Sequence, residues 1–319
     1  MAYKDTTTKK YMRKPSRFAD FFNGYIYKGE EVIKASDLSE VDTSNIAIIP
    51  SVKGRKKITV QKYRDILKKA ILMKSEKAYY LFVGIENQSD IHYAMPVRNM
   101  LYDALVYNQQ IEEISSYNKE NVICETSGEF LSGFTKNDKL IPVVTVTVYW
   151  GSKPWDAPVT LKEMFVDVDD NLEQFLSDYN CNLFSIIDAQ KLPKYRTELD
   201  ELFNILKSRN DKDKLVKIVH SKDSYQSVDE ETVTMINEFA GINISGKSKG
   251  GTYNVCKAIE DLKAEGREEG IKEGREEGIK DGQLMSIKNV MLNGKMTFEE
   301  ACKLLGIEDP NKYKDMVIS

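Results

Sequence analysis

Two acidic residues and an amide are spaced as a metal-dependent hydrolase would need them. Asp65 interrupts the apolar stretch Ile58–Met73, which predicts a strand, and Glu86 ends a second predicted strand, Ala78–Glu86. Gln88 follows at the spacing that returns to the same face of a strand. An antiparallel hairpin of these strands would join the two carboxylates, which are ligands suited to Mg²⁺. An acid in an edge strand is also a common solvated side chain, and Glu86 could cap a strand end, so spacing alone leaves both interpretations open.

Basic residues are concentrated in two parts of the chain, although the net charge is −4. Residues 1–17 contain six basic and one acidic side chain, and residues 51–77 contain ten and two. A locally basic region on an acidic chain can be an electrostatic footprint for phosphate, and a solvated lysine-rich surface is the alternative. The basic residues that would support the candidate site include Arg64, Lys68 and Lys69.

Predicted strands and helices alternate along the first two thirds of the chain, and this favours an α/β core with a mixed sheet. The further elements are helices at Arg17–Tyr27, Met95–Ile111 and Thr160–Phe165, a strand at Leu140–Trp150, and a helix from a Ser227–Glu230 capping box to Gly241.

A charged repeat follows this core. The eight residues Glu265–Lys272 recur unchanged at Glu273–Lys280 and place a glycine at every fourth position. Each glycine costs a helix about 1 kcal/mol relative to alanine. The segment is therefore expected to be a tether or a self-association helix, with a simple solvated helix as the alternative. Near the end of the chain, Thr297 and Glu300 predict a second capping box.

We expect four regions in the chain. They are a core, a helical extension, the repeat helix or tether, and a small helical tail, at residues 1–210, 211–256, 257–283 and 284–319.

Composition narrows the class of protein. The 319 residues contain no run near the roughly 20 apolar residues that cross a bilayer, and the N-terminus lacks the apolar stretch of a signal peptide. A cytoplasmic protein with no membrane partner is expected. Four cysteines without a CxxC pair favour neither disulfides nor a structural zinc site. His92 and His220 are the only histidines, and no P-loop, GxSxG or dinucleotide fingerprint occurs.

Several short motifs occur in a recognisable order. The segments are FADFF at Phe18–Phe22, IENQS at Ile85–Ser89, MPVRNMLY at Met95–Tyr102, YWG at Tyr149–Gly151, and the EGREEG tail. In this order and spacing the chain resembles the recombination-promoting nuclease / putative transposase family, a bacterial branch of the PD-(D/E)XK nuclease superfamily.

The resemblance implies a PD-(D/E)XK restriction-endonuclease-like fold: an α/β core with a mixed β-sheet flanked by helices, plus a helical C-terminal extension. It implies that Asp65 and Glu86 bind Mg²⁺, or alternatively Mn²⁺, with Asp20 as an additional ligand. Gln88 would stand where most of the superfamily has lysine. A neutral amide can orient water or phosphate, but it supplies neither a cation nor a proton-accepting amine.

The resemblance also places Arg98 and Tyr102 on the helix after the second acid. Residues four apart share one helical face, so both could reach toward the site. Packing and a surface ion pair are the alternative.

The implied function is that of a metal-dependent DNA endonuclease linked to recombination or mobile elements. Its partners would be DNA and a second copy of the chain, associated through the repeat at residues 257–283. One alternative is a catalytically inactive DNA-binding or regulatory protein of the same fold. Another is an assembly protein built around the glycine-rich helix.

Overall fold

The structure is a computed structural model that describes residues 2–41, 44–49, 58–63, 65–74, 77–246 and 250–318. The chain divides into two compact units, Met1–Cys256 and Lys257–Ser319. Residues 211–256, the expected helical extension, lie within the first unit, and the expected division at residue 210 stays a prediction.

The described residues form eleven α-helices, seven strands and three short 3₁₀ turns. The helices are α1 (Ala2–Arg13), α2 (Pro15–Tyr27), α3 (Met95–Glu120), α4 (Ser127–Ser132), α5 (Asp170–Glu173), α6 (Leu199–Ser208), α7 (Lys212–Val219), α8 (Glu230–Ala240), α9 (Val255–Gly294), α10 (Phe298–Leu304) and α11 (Asn311–Ile318). The strands are β1 (Leu38–Glu40), β2 (Ser44–Ile49), β3 (Ile58–Tyr63), β4 (Ile66–Lys74), β5 (Lys77–Gln88), β6 (Val143–Tyr149) and β7 (Asn182–Ser185). Short 3₁₀ turns lie at Ala35–Asp37, Lys162–Met164 and Asp223–Gln226.

The first unit is built on a mixed five-stranded sheet in the order β1-β4-β5-β6-β7. The pairs β1–β4 and β4–β5 are antiparallel, and β5–β6 and β6–β7 are parallel. Helix α3 makes the crossover between the parallel strands β5 and β6, as parallel pairing requires. The expected α/β class, mixed sheet and β4–β5 hairpin are therefore confirmed.

Helices cover both faces of this sheet. On one face, Val106 of α3 packs against Leu67 and Phe82. On the other face, Phe21 of α2 meets Phe184 of β7 edge to face, with ring centroids 5.3 Å apart. A sheet covered on both faces reads as continuous apolar strands, and this explains the sequence pattern of β6.

The predicted strand Ile58–Met73 is two strands, not one. Strand β3 ends at Tyr63 and pairs with β2 in a separate two-stranded sheet, whereas β4 begins at Ile66 and pairs with β5. Asp65 lies between them, where its backbone N–H donates to the side chain of Glu86 on β5 at 3.2 Å. The backbone therefore leaves the strand ladder at the candidate site.

Two of the predicted helices differ in extent from what the structure shows. Helix α3 begins at Met95 with proline in its first turn, as predicted, but continues nine residues beyond Ile111. The expected Thr160–Phe165 helix is only a 3₁₀ turn, and Thr160 pairs with Asn180 across a β-bridge.

The predicted strand Leu140–Trp150 is shorter, Val143–Tyr149. The cap of α8 is Asp229 and not Ser227, because the Asp229 carboxylate accepts from the backbone N–H groups of Glu231 and Thr232.

The second unit is helical. The repeat lies within α9, and the predicted capping box of Thr297 and Glu300 at the start of α10 is confirmed. A small apolar cluster is formed by Ile287, Phe298, Ala301, Cys302 and Tyr313.

Across the residues that the structure describes, none of the helices is both long and apolar enough to cross a bilayer.

Candidate active site

The register of the β4–β5 hairpin brings the two predicted carboxylates together. Ile66 pairs with Ile85, so Asp65 and Glu86 are the next residues on each strand toward the open end of the hairpin. The Asp65 N–H donates to Glu86 Oε1 at 3.2 Å, and Asp65 Oδ2 accepts from the Asn87 N–H at 2.8 Å. Both acids are buried, Glu86 completely. Reciprocal bonds of this kind hold the two side chains in fixed positions.

A lysine from the first helix completes the Asp65 side of the site. Lys9 Nζ lies 2.8 Å from Asp65 Oδ1 and 3.1 Å from Asp5 Oδ2, one turn earlier on α1. Sequence reasoning did not select Lys9 or Asp5. The only signal was the basic character of residues 1–17, which does not identify an individual residue.

An arginine from helix α3 completes the Glu86 side. Arg98 Nη2 lies 3.4 Å from Glu86 Oε2, and Arg98 Nε donates to the Tyr102 hydroxyl at 3.1 Å. The structure thus brings the two helix residues named from the sequence to the second acid.

Buried polar contacts fix α3 on the strand beside the hairpin. Thr145 donates to Asp103 Oδ1 at 2.5 Å, and the Tyr179 hydroxyl donates to Asp103 Oδ2 at 2.6 Å. Asn99 of the same helix donates to Thr147 at 2.9 Å. Because α3 is anchored to the sheet through these bonds, the position of Arg98 is set by the fold.

An open cleft of about 430 Å³ lies at this site. Asp65, Gln88 and Arg98 contribute to its wall, together with Asp5 and Lys9. Glu86 is fully buried and does not line the cleft. The cleft wall therefore combines the carboxylates of Asp5 and Asp65 with two cations and an amide, and Glu86 contacts this wall through the Asp65 N–H.

The electrostatics of the cleft balance burial against pairing. Burial raises the pKa of Asp65, although Lys9 and the Asn87 N–H favour its carboxylate. Burial alone would lower the pKa values of Lys9 and Arg98. The paired acids more than offset that effect, so both pKa values are raised and both groups are cations at neutral pH. Burial, followed by the charge of Glu86, raises the pKa of Tyr102.

Asp20 is not brought to this cleft. Its Oδ2 accepts from the Arg196 N–H at 2.8 Å, the Thr197 N–H at 2.7 Å and the Thr197 hydroxyl at 2.7 Å. It lines a second, smaller cleft of about 160 Å³ that shares no lining residue with the first. Three donors on one oxygen identify Asp20 as the anchor of the loop before α6, which corrects its expected place as a third metal ligand.

The predicted supporting lysines of β4 also point elsewhere. Lys68 is 1% exposed, and its Nζ donates to the Arg13 carbonyl at 2.8 Å. Lys69 Nζ lies 4.0 Å from the centre of the Tyr80 ring. Neither lysine lines the cleft. Arg64 lies outside the described residues.

The carboxylates of the site are few for a complete metal-binding cluster. Among the described residues, no group of three or more His, Cys, Asp or Glu side chains could hold a metal ion. Asp65 and Glu86 still provide two hard carboxylates, and Mg²⁺ is commonly held by one or two carboxylates with water and substrate phosphate completing its shell. The two carboxylates therefore fit the kind of Mg²⁺ site in which water and the substrate phosphate supply the remaining ligands.

The fold and the cleft define an α/β protein whose central hairpin carries a paired acidic site. The family model described as "Putative transposase, YhgA-like" matches residues 3–241, and the chain belongs to this family. The match confirms the resemblance to the putative transposase family and associates the chain with mobile elements. No curated protein and no solved structure shows a significant match to the chain.

Proposed function

We propose that this protein is a metal-dependent DNA endonuclease of the PD-(D/E)XK type, acting in recombination or at mobile elements. The observation that carries the proposal is the hydrogen bond from the Asp65 backbone N–H to the Glu86 carboxylate, beside a cleft that Asp65 and Gln88 line. The order of β1, β4 and β5, the crossover helix α3 and the parallel strand β6 supports it. Family membership supports the assignment of DNA as partner.

In the proposed reaction, a water oxygen forms a bond to phosphorus while the bond from phosphorus to O3′ breaks. The products are a 5′-phosphate and a 3′-hydroxyl, and the proton lost by water is balanced by the proton gained at O3′. When bound, Mg²⁺ would polarise the phosphate and lower the pKa of the attacking water.

The chain's own residues would divide the remaining work. Asp65 and Glu86 would hold the ion, and Mn²⁺ would serve in its place. The Gln88 amide would orient the water or a phosphate oxygen. Arg98 would keep the Glu86 carboxylate in position through the contact at 3.4 Å.

One feature of the site favours a second candidate, a catalytically inactive DNA-binding or regulatory protein. Both acids already have cationic partners in the protein, Lys9 for Asp65 and Arg98 for Glu86. A site whose charges are balanced without a metal ion could persist for structural reasons alone.

Cleavage of supercoiled plasmid separates the two functions. Purified protein with Mg²⁺ or Mn²⁺ should nick the plasmid, and EDTA, Asp65→Asn and Glu86→Gln should each abolish nicking. Glu113→Gln is the matched control, because it removes an exposed carboxylate from α3 outside the cleft. A wild type that binds DNA without nicking it would favour the regulatory protein. Equal nicking by all variants would show that the activity belongs to another protein.

A further inference from the structure

Lys9 supplies a positive charge beside Asp65 that the strand residue Gln88 does not carry. Its Nζ is within hydrogen-bond distance of Asp65 Oδ1, and its side chain remains 37% exposed where it lines the cleft. The neighbouring position on the strand is the amide Gln88, which carries no charge. A lysine from α1 therefore brings an ammonium group to a site whose strand does not supply one.

Hydrolysis of a phosphodiester builds negative charge on the phosphate oxygens, and a cation fixed beside them stabilises that charge. Arg98 contacts Glu86 and Tyr102, so its guanidinium is directed to the second acid. Lys9 lies at the other acid. Its ammonium contacts Asp65 Oδ1, an oxygen of the carboxylate that would also bind a metal ion. Lys9 and a metal ion would therefore compete for Asp65.

We propose that Lys9 is the exchangeable cation of this site: it neutralises Asp65 when no metal is bound, and it contacts a DNA phosphate once a divalent ion takes Asp65. This inference rests on the proposed function, because it assigns the phosphate-binding cation of the same cleft. Asp5, 3.1 Å from Lys9 Nζ and one helical turn away, keeps the ammonium at the rim of the cleft during the exchange.

The test uses Lys9→Met in the full chain and three measurements. Mn²⁺ titration should show tighter binding than in the wild type, by about two- to fivefold, because a competing ion pair whose lysine is partly exposed has been removed. Binding of a short DNA duplex in Ca²⁺ should weaken, and its dependence on log salt concentration should lose about one unit of slope, as expected for one lost phosphate contact. Plasmid cleavage should fall by about 100-fold.

Two further variants serve as controls. Lys9→Arg keeps the charge and should keep the salt slope of the wild type. Lys10→Met removes the next lysine of α1, which is exposed, pairs with Glu231 at 3.7 Å and does not line the cleft. It should leave Mn²⁺ affinity and cleavage unchanged.

The outcomes separate this inference from the proposed function. A wild type that cuts no DNA overturns the proposed function. The Mn²⁺ affinity and the salt slope of Lys9→Met still test whether Lys9 competes with the metal ion and contacts a DNA phosphate. Unchanged Mn²⁺ affinity in Lys9→Met, or an unchanged slope, overturns the inference. Wild-type cleavage by Lys9→Met does so as well, and in that case the nuclease assignment stands.

Discussion

Arg17 should be among the residues on which the stability of the first unit depends most. Its side chain is fully buried and reaches three carboxylates: Nη1 to Glu231 at 2.6 Å, Nη2 to Asp229 at 3.1 Å, and Nε to Glu198 at 3.4 Å. The guanidinium also lies 4.0 Å from the centre of the Tyr11 ring. These contacts join α1 and α2, which precede the sheet in the chain, to the segments that begin α6 and α8.

Replacing Arg17 with methionine keeps much of the volume and removes the charge. Loss of one partner from a buried ion pair costs about 3–5 kcal/mol, since charge is left uncompensated. The three carboxylates are 34–41% exposed, so water can solvate them in the variant, and the lower end of that range applies. We expect the free energy of unfolding to fall by about 3 kcal/mol, which corresponds to roughly 6–12 °C in Tm for a unit of this size.

Urea unfolding followed by tryptophan fluorescence measures this change, because both tryptophans, Trp150 and Trp155, belong to the first unit. Arg13→Met is the matched control. Arg13 Nε lies 3.7 Å from Glu40, and both side chains are more than half exposed, so its loss should cost less than about 0.5 kcal/mol. A loss below about 1 kcal/mol for Arg17→Met would refute the assignment of these contacts as a structural joint.

Two further predictions concern a buried lysine and the glycine repeat. Burial lowers the pKa of Lys68, with Glu40 offsetting part of the effect, so the folded chain releases this proton more readily than the unfolded chain. The stability of the wild type relative to Lys68→Met should therefore increase as pH rises from the pKa of Lys68 in the folded chain toward 10.5. If the difference between the urea midpoints of the two proteins is the same at pH 8 and pH 10, the prediction is contradicted. At Gly274 an added Cβ meets open space, so Gly274→Ala should strengthen α9 by about 1 kcal/mol, measurable by circular dichroism. If copies of the chain associate along the glycines, the new methyl group should also lower the fraction of oligomer in size-exclusion chromatography. An unchanged elution volume would count against self-association along that face.

Local signals were sufficient for much of the fold. Continuous apolar runs predicted β5 and β6, and Pro96 in a first turn predicted the start of α3 at Met95. The capping box at Thr297 was predicted because both of its partners lie within four residues of each other. Each of these features depends on neighbours in the chain, and those neighbours can be read directly from the sequence.

The sequence also predicted that Asp65 and Glu86 would meet, because a short hairpin brings neighbouring strands together whatever else surrounds them. It did not predict that the strand would break at Asp65. The apolar residues on either side satisfy the strand pattern, and at the break the Asp65 N–H donates to a side chain on the next strand.

Only the tertiary structure decided which charged group accompanies Asp65. Lys9 is separated from Asp65 by more than fifty residues, and no periodicity connects them. Lys68 and Asp20 looked equally suitable by type, yet Lys68 is directed to the Arg13 carbonyl and Asp20 to the loop before α6. The physical reason is that strands and caps are stabilised by contacts within a few residues, whereas the partner of a buried charge is set by how distant elements pack.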